Sequence, residues 1–161
     1  LLRNIEDGSI RVINPLYSLL MSSKLMLPEL ARKFWESPYV LDAVHGYDIT
    51  TPMQLVGRVE KPAFGWQGGN VKVFDENGML VASTPGNFGR DGNVITQERC
   101  VVPGFKDADG DTVHLIVSTW VIGGKCTGIG VNGSTQSGFM PGQTAPVMTS
   151  NNTRFYPHYV V

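Results

Sequence analysis

Apolar positions change their spacing about a third of the way along the chain. After SIRVI at residues 9–13, a short apolar stretch that reads as a strand, Asn14 is placed to cap a helix and Pro15 to occupy its first position, where a fixed φ and a missing N–H do no harm. Leu16, Leu19 and Leu20 follow at helical spacing. A second start stands at Pro28, with Glu29 in the first turn and Leu30, Ala31, Phe34 and Trp35 as one apolar stripe, and Ser37-Pro38 closes it. The pattern predicts one or two short helices between about residues 15 and 37, then a loop through Asp48.

From Thr50 the period becomes two. MQLVGRVEK alternates as a strand around Gly57. NVKVF and GMLVAS read as a hairpin, joined by Asp75-Glu76-Asn77-Gly78, residues that tolerate positive φ. NVITQERCVV, DTVHLIVSTWVI, KCTGIGV, APVMTS and TRFYPHYVV follow, each bounded by glycine, proline, asparagine or aspartate. In DTVHLIVSTWVI, Val113, Leu115, Val117, Thr119 and Val121 alternate with His114, Ile116, Ser118, Trp120 and Ile122, so both faces are largely apolar. Such a strand suits the middle of a sandwich, or a sheet with one face on the N-terminal helices. The expected fold is mainly β, sandwich or barrel-like, with one or two short N-terminal helices. The expected organisation is an arm and short strand over 1–14, a helical segment and loop over 15–48, and a β-domain over 49–161, together one compact domain.

Charge narrows the partners. Thirteen basic and fourteen acidic side chains give a net charge of −1, and neither sign forms a block. Nucleic acid needs a clustered basic surface and a membrane surface a polybasic patch, so neither is expected as a partner. The longest apolar run, His114 to Ile122, is broken by Ser118 and Thr119 and falls short of a span of about 20 residues. LLRNIEDG lacks the basic-then-apolar order of a signal peptide, so a soluble protein without a leader is expected. The sequons at Asn132 and Asn151 carry little weight without a leader. Cys100 and Cys126 lie in apparent strands and read as small core residues or as one bridge between neighbouring strands.

Candidate chemistry is thin. GIGVNG at 128–133 has the G-x-G-x-x-G spacing, but STQSGFMPGQTAP follows it with two prolines and no apolar period, so no helix N-terminus can receive a phosphate and a glycine-rich loop is expected. In DADGD, Asp107, Asp109 and Asp111 alternate as calcium ligands do, yet Ser118 stands where an EF-hand needs its bidentate glutamate; a shallow calcium site and a polar turn both stay open. His45, His114 and His158 form no metal-ligand doublet, and His45 with Asp42 finds no serine elbow. No catalytic, cofactor or metal residue is assigned. Phe64 and Trp66, in AFGWQGG, are the more telling side chains: rings on a loop between strands either stack on a sugar, anchor in a partner, or close one end of a sandwich.

The opening Leu2-Arg3-Asn4, then Gly8, a short apolar strand and a proline-started helix, resembles the beginnings of small structural proteins of tailed bacteriophages over roughly the first 30 residues. Within that group, capsid decoration (cement) proteins are β-rich, catalytically silent and commonly trimeric. The resemblance implies a non-enzymatic virion protein, assembled in the host cytoplasm and placed on the outer capsid surface. Its partners would be the major capsid protein and itself as a homotrimer, with Leu1, Leu2, Arg3, Asn4, Phe64 and Trp66 at the interface. The alternative expectation is a carbohydrate- or host-receptor-binding β-domain of a phage fibre or spike, working through Phe64 and Trp66; a small hydrolase on a β-scaffold ranks third.

Overall fold

The computed structural model describes residues 2–11, 17–46, 57–66, 68–87, 92–100, 102–135 and 153–155. Three short helices, α1 (Leu2–Glu6), α2 (Ser18–Met21) and α3 (Met26–Lys33), precede nine strands. The strands are β1 (Ala43–His45), β2 (Arg58–Pro62), β3 (Lys72–Phe74), β4 (Leu80–Ser83), β5 (Val94–Glu98), β6 (Gly104–Lys106), β7 (Thr112–Ile122), β8 (Lys125–Thr135) and β9 (Thr153–Phe155). The described chain is β-rich with short helices at its start. Its strands form two antiparallel sheets, in the orders β1-β5-β2-β3-β4 and β6-β7-β8-β9.

In the first sheet, β2 lies centrally between β3, its neighbour in sequence, and β5, which arrives some thirty residues later. Gly57 opens β2 with φ +86, and a Cβ there would stand 2.4 Å from the Phe74 carbonyl oxygen, so the strand can begin beside β3 only at a glycine. The β3–β4 hairpin follows its sequence signature. Asp75 Oδ1 accepts the amides of Asn77 and Met79, Asp75 N–H donates to the Met79 carbonyl at 3.0 Å, and Gly78 takes φ +77.

Helix α3 begins at Met26, so Pro28 occupies its first turn rather than its first position. Its inward side is Pro28 and Ala31, and Ala31 joins Ala43, Ala63 and Ile95 in a cluster that Leu25, Leu27 and Val40 enclose. Of the stripe expected from periodicity only Ala31 faces this core, for Leu30 is exposed, and Phe34, at 45% exposure, and Trp35, at 74%, lie past the end of α3. A second cluster, Val71, Val73 and Ala82, lies on β3 and β4 against Val59 and Val81. Residues Asn14 to Leu16, Met53 to Val56 and Ala145 to Ser150, on which the first helix start and parts of two strands were expected, lie outside the described residues.

The second sheet corrects the reading of DTVHLIVSTWVI. It is a strand of the expected extent, but only its first half is covered: Val113 is 3% exposed, whereas Val117, Trp120, Val121 and Ile122 are each more than 60% exposed. Alternation reports which side chains share a face and not whether anything covers it. GIGVNG is likewise not a loop. It lies within β8, where Gly128 and Gly130 pair with Trp120 and Ser118. Neither Cys100 nor Cys126 is in a disulfide and both are exposed, so neither is a core residue. Asp107 to Asp111 form the β6–β7 turn: Asp107 Oδ1 accepts the amides of Asp109 and Asp111, and Lys106 Nζ donates to the Gly110 carbonyl at 3.0 Å. These bonds are those of the polar-turn alternative, and Lys106 Nζ also donates to Thr112 Oγ1 at 3.0 Å. No helix among the described residues is long and apolar enough to cross a membrane.

Candidate functional site

The strongest convergence of polar groups lies where β2 ends and a glycine-rich loop begins. Residues on one face of β2 and β5 follow from register: Val59 pairs with Gln97 and Lys61 with Ile95, so all four point the same way. Ile95 is fully buried beneath α3, and Lys61 comes up beside it, half-buried, with Nζ donating to Gln97 Oε1 at 2.5 Å. Burial depresses the Lys61 pKa, and the nearby charge of Lys24 lowers it further.

Lys24 belongs to the tight turn between α2 and α3. Ser23 shapes that turn, its Oγ accepting the Leu25 amide at 3.2 Å. From there Lys24 grips the loop twice, donating its backbone N–H to the Ala63 carbonyl at 3.0 Å and its Nζ to the Gly65 carbonyl at 2.6 Å. Its pKa also falls, through burial. Among the described residues the ion pairs are Arg32–Glu29 and Arg58–Glu60, so no carboxylate balances either ammonium. Two desolvated cations beside one another are unfavourable unless an anion joins them.

The loop itself, described at 63–66 and 68–70, is shaped for close approach. Gly68 and Asn70 take positive φ, at 67° and 54°, and Gly69 N–H donates to the Trp66 carbonyl at 3.2 Å. Its far end is fixed by Thr84, whose Oγ1 donates to the Gly68 carbonyl and accepts the Val71 amide at 3.0 Å. Gly86 lies under this end, where a Cβ would meet Asn70 N at 2.6 Å. On the opposite face of β2, Glu60 is 7% exposed and bonded to Arg58 at 3.2 Å, while the Arg58 guanidinium stacks 3.9 Å from the centre of the Phe74 ring. This stack holds the strand that presents Lys61.

Of the residues singled out from sequence, Phe64 and Trp66 lie on this loop, 56% and 66% exposed, on either side of Gly65. Trp66 therefore does not close a buried end of the fold. Leu2, Arg3 and Asn4 fall in α1, with Arg3 and Asn4 exposed, and Leu1 lies outside the described residues. His45 ends β1 and is exposed; Asp42, three residues before it, cannot share its side of an extended segment. His114 Nδ1 lies 3.1 Å from the Val102 carbonyl and its Nε2 is buried without a partner, while His158 lies outside the described residues. No group of three or more metal-ligating side chains occurs among the described residues. Lys24, Lys61 and Gln97 were missed. The available signal was a lysine closing an alternating strand immediately before Gly65, Gly68 and Gly69.

Comparison with known proteins identifies the setting of this loop. All 161 residues match the family described as "Glutathionylspermidine synthase preATP-grasp". A protein of Haemophilus influenzae named as a putative acid–amine ligase is 27% identical over 164 residues, covering 99% of this chain and 37% of its own length. The trypanothione synthetase of Crithidia fasciculata is 30% identical over 126 residues, covering 78% of this chain and 18% of its own. The chain thus spans little more than a third of one curated relative and less than a fifth of the other. These matches overturn the virion reading. The phage resemblance rested on a short opening segment, whereas the family match runs the whole chain. With that reading fall the non-enzymatic assignment, the capsid protein and homotrimer as partners, the outer-capsid location and the receptor-binding alternative. Near-neutral charge and many turns suit any β-rich domain and never distinguished a shell protein from an enzyme. By a match that extends from its first residue to its last, the chain belongs to the glutathionylspermidine synthase preATP-grasp family.

Proposed function

We propose that this chain forms the phosphate-holding part of an ATP-dependent ligase that joins a carboxylic acid to an amine. The observation that carries the reading is the Lys61–Lys24 pair, two partly desolvated ammonium groups that no carboxylate among the described residues pairs with, at the start of a glycine-rich loop. An acid and an amine meet in water as carboxylate and ammonium, so the carboxylate must first be activated. Transfer of a phosphoryl group from ATP to the carboxylate oxygen releases ADP and gives an acyl phosphate. The neutral amine then attacks the carbonyl carbon, phosphate leaves, and the new amide nitrogen loses a proton. Lys61 and Lys24 would neutralise the phosphate oxygens through the transfer, and the glycines allow the backbone to approach them without side-chain obstruction. The likeness to an acid–amine ligase and a trypanothione synthetase supports the reaction class.

Within this reading the helical segment over 15–48 supplies Lys24 and the β-domain over 49–161 supplies Lys61, so both segments build one ligand site. Phe64 and Trp66 border the nucleotide rather than a neighbouring subunit. The paired antiparallel sheets belong to an ATP-grasp type of architecture and not to a sandwich or barrel.

Calorimetric titration with ATP tests the proposal. The unaltered chain is expected to bind, and Lys61→Met to bind at least about tenfold more weakly, a change of about 1.4 kcal/mol. No heat with the unaltered chain, or equal affinity in the variant, refutes it.

A further inference from the structure

Alternation along β2 and β5 sorts their charged side chains by face. Val59 pairs with Gln97 and Lys61 with Ile95, whereas Arg58 pairs with Glu98 and Glu60 with Thr96. Glu60 precedes Lys61 in sequence and Glu98 follows Gln97, yet the pleat sends both carboxylates to the face of Arg58. There Glu60 is 7% exposed and bonded to Arg58, while Glu29 on α3 is bonded to Arg32. What Lys61 meets on its own face is an amide. Gln97 lies diagonally across on β5, and its Oε1 accepts Lys61 Nζ at 2.5 Å. A glutamate of the same size would accept that bond and also neutralise the lysine. An amide oxygen fixes the ammonium and leaves its charge intact.

We infer that Gln97 is a positioning residue: it holds the Lys61 ammonium at the start of the glycine-rich loop and, being neutral, leaves that charge free to meet a phosphate. Lys24 stands close enough to act on Lys61 electrostatically, and it too is held by a neutral oxygen, the Gly65 carbonyl. A lysine without an acceptor would sample several rotamers, and fixing it would then oppose binding. A lysine with a carboxylate would make the ligand compete with an internal ion pair. Glutamine avoids both. The inference rests on the anion site proposed above and adds which residue sets its charge.

Two variants of nearly equal size separate position from charge. Inorganic tripolyphosphate is the probe; calorimetry reads its affinity, and the ¹⁵Nζ shift of Lys61 follows that lysine's titration. Gln97→Glu should raise the Lys61 pKa and weaken binding at least about tenfold, because the probe must displace a carboxylate. Gln97→Met keeps the charge of the site and loses the acceptor. It should weaken binding less, leave the Lys61 pKa no higher, and melt below Gln97→Glu, which gains an ion pair. Affinity and stability then rank the two variants in opposite orders. A merely structural glutamine would rank them in the same order, and that result overturns the inference. Binding as tight as that of the unaltered chain, in either variant, overturns it as well while the anion site stands. If the unaltered chain does not bind tripolyphosphate, the anion site and the role of Gln97 fall together.

Discussion

Gly57→Ala tests how β2 is set against β3. Two terms oppose the substitution. The residue has φ +86, and a side chain in the left-handed region costs about 1–2 kcal/mol. The new Cβ would also lie 2.4 Å from the Phe74 carbonyl oxygen and 3.0 Å from the Asp75 carbonyl carbon, so backbone must retreat by roughly 0.6 Å. Overpacking of this kind costs about 1–3 kcal/mol. Restricting the unfolded chain returns about 0.4–1 kcal/mol, which leaves a net loss of about 1–4.6 kcal/mol. Gly78→Ala is the matched control: φ is +77, and the nearest atom is the Arg58 side chain at 3.8 Å, so strain remains and the collision is gone. Its loss should be about 1 kcal/mol. Guanidinium titrations followed by circular dichroism measure both. Losses within about 0.5 kcal/mol of each other would show that the strand yields at no cost, and the argument that β2 requires a glycine there would be wrong.

Lys61→Met should raise the melting temperature of the ligand-free chain while removing ATP binding, because the lysine is held at the expense of its hydration; a fall in melting temperature in differential scanning calorimetry contradicts that account. The pH dependence has a definite sign. Both lysines have folded pKa values below 10.5, so between those values and 10.5 the unfolded chain holds more protons and stability rises with pH. Denaturant titrations should show a smaller rise in Lys61→Met, and an equal one counts against the assignment. Ile95→Ala removes a fully buried side chain under α3 and should cost about 2–5 kcal/mol, whereas a loss below about 1 kcal/mol would mean the cluster has collapsed around the space.

Local chemistry was legible in the sequence and coverage was not. Asp75 to Gly78 announces its hairpin because a turn is decided by the residues within it. The extent of β7 followed from alternation for the same reason, whereas β5 takes only Val94–Glu98 of the expected NVITQERCVV. The burial of β7 did not, since Val117 and Val121 look the same to a period of two whether a second layer covers them or not. Of the expected stripe Leu30, Ala31, Phe34 and Trp35, Ala31 alone joins the core and Phe34 and Trp35 lie past the end of α3; the face that counts is set by where Ala43 and Ile95 lie, and these come from β1 and β5. Lys61 was hidden differently. In sequence it is one polar member of an alternating strand; its meaning comes from Gln97 and Lys24, both more than thirty residues away. The glycines of 128–133 matched a known spacing without the helix that gives it meaning, while those of 65–69 matched none and sit beside the cations.

The insertion of β5 between β1 and β2 has a consequence for the order of events during synthesis. As the chain leaves the ribosome, β2, β3 and β4 can pair among themselves at once, because each neighbour in that half of the sheet is its neighbour in sequence. The other flank of β2 stays open until Val94–Glu98 has emerged, and Lys61 until then has no Gln97. Thr96 must also reach back fifty residues to the Gly46 carbonyl. Closing such long loops is slow, so the unpaired edge of β2 is exposed over that interval. A nascent chain truncated before Val94 would contain the whole glycine-rich loop and both lysines and still lack the site.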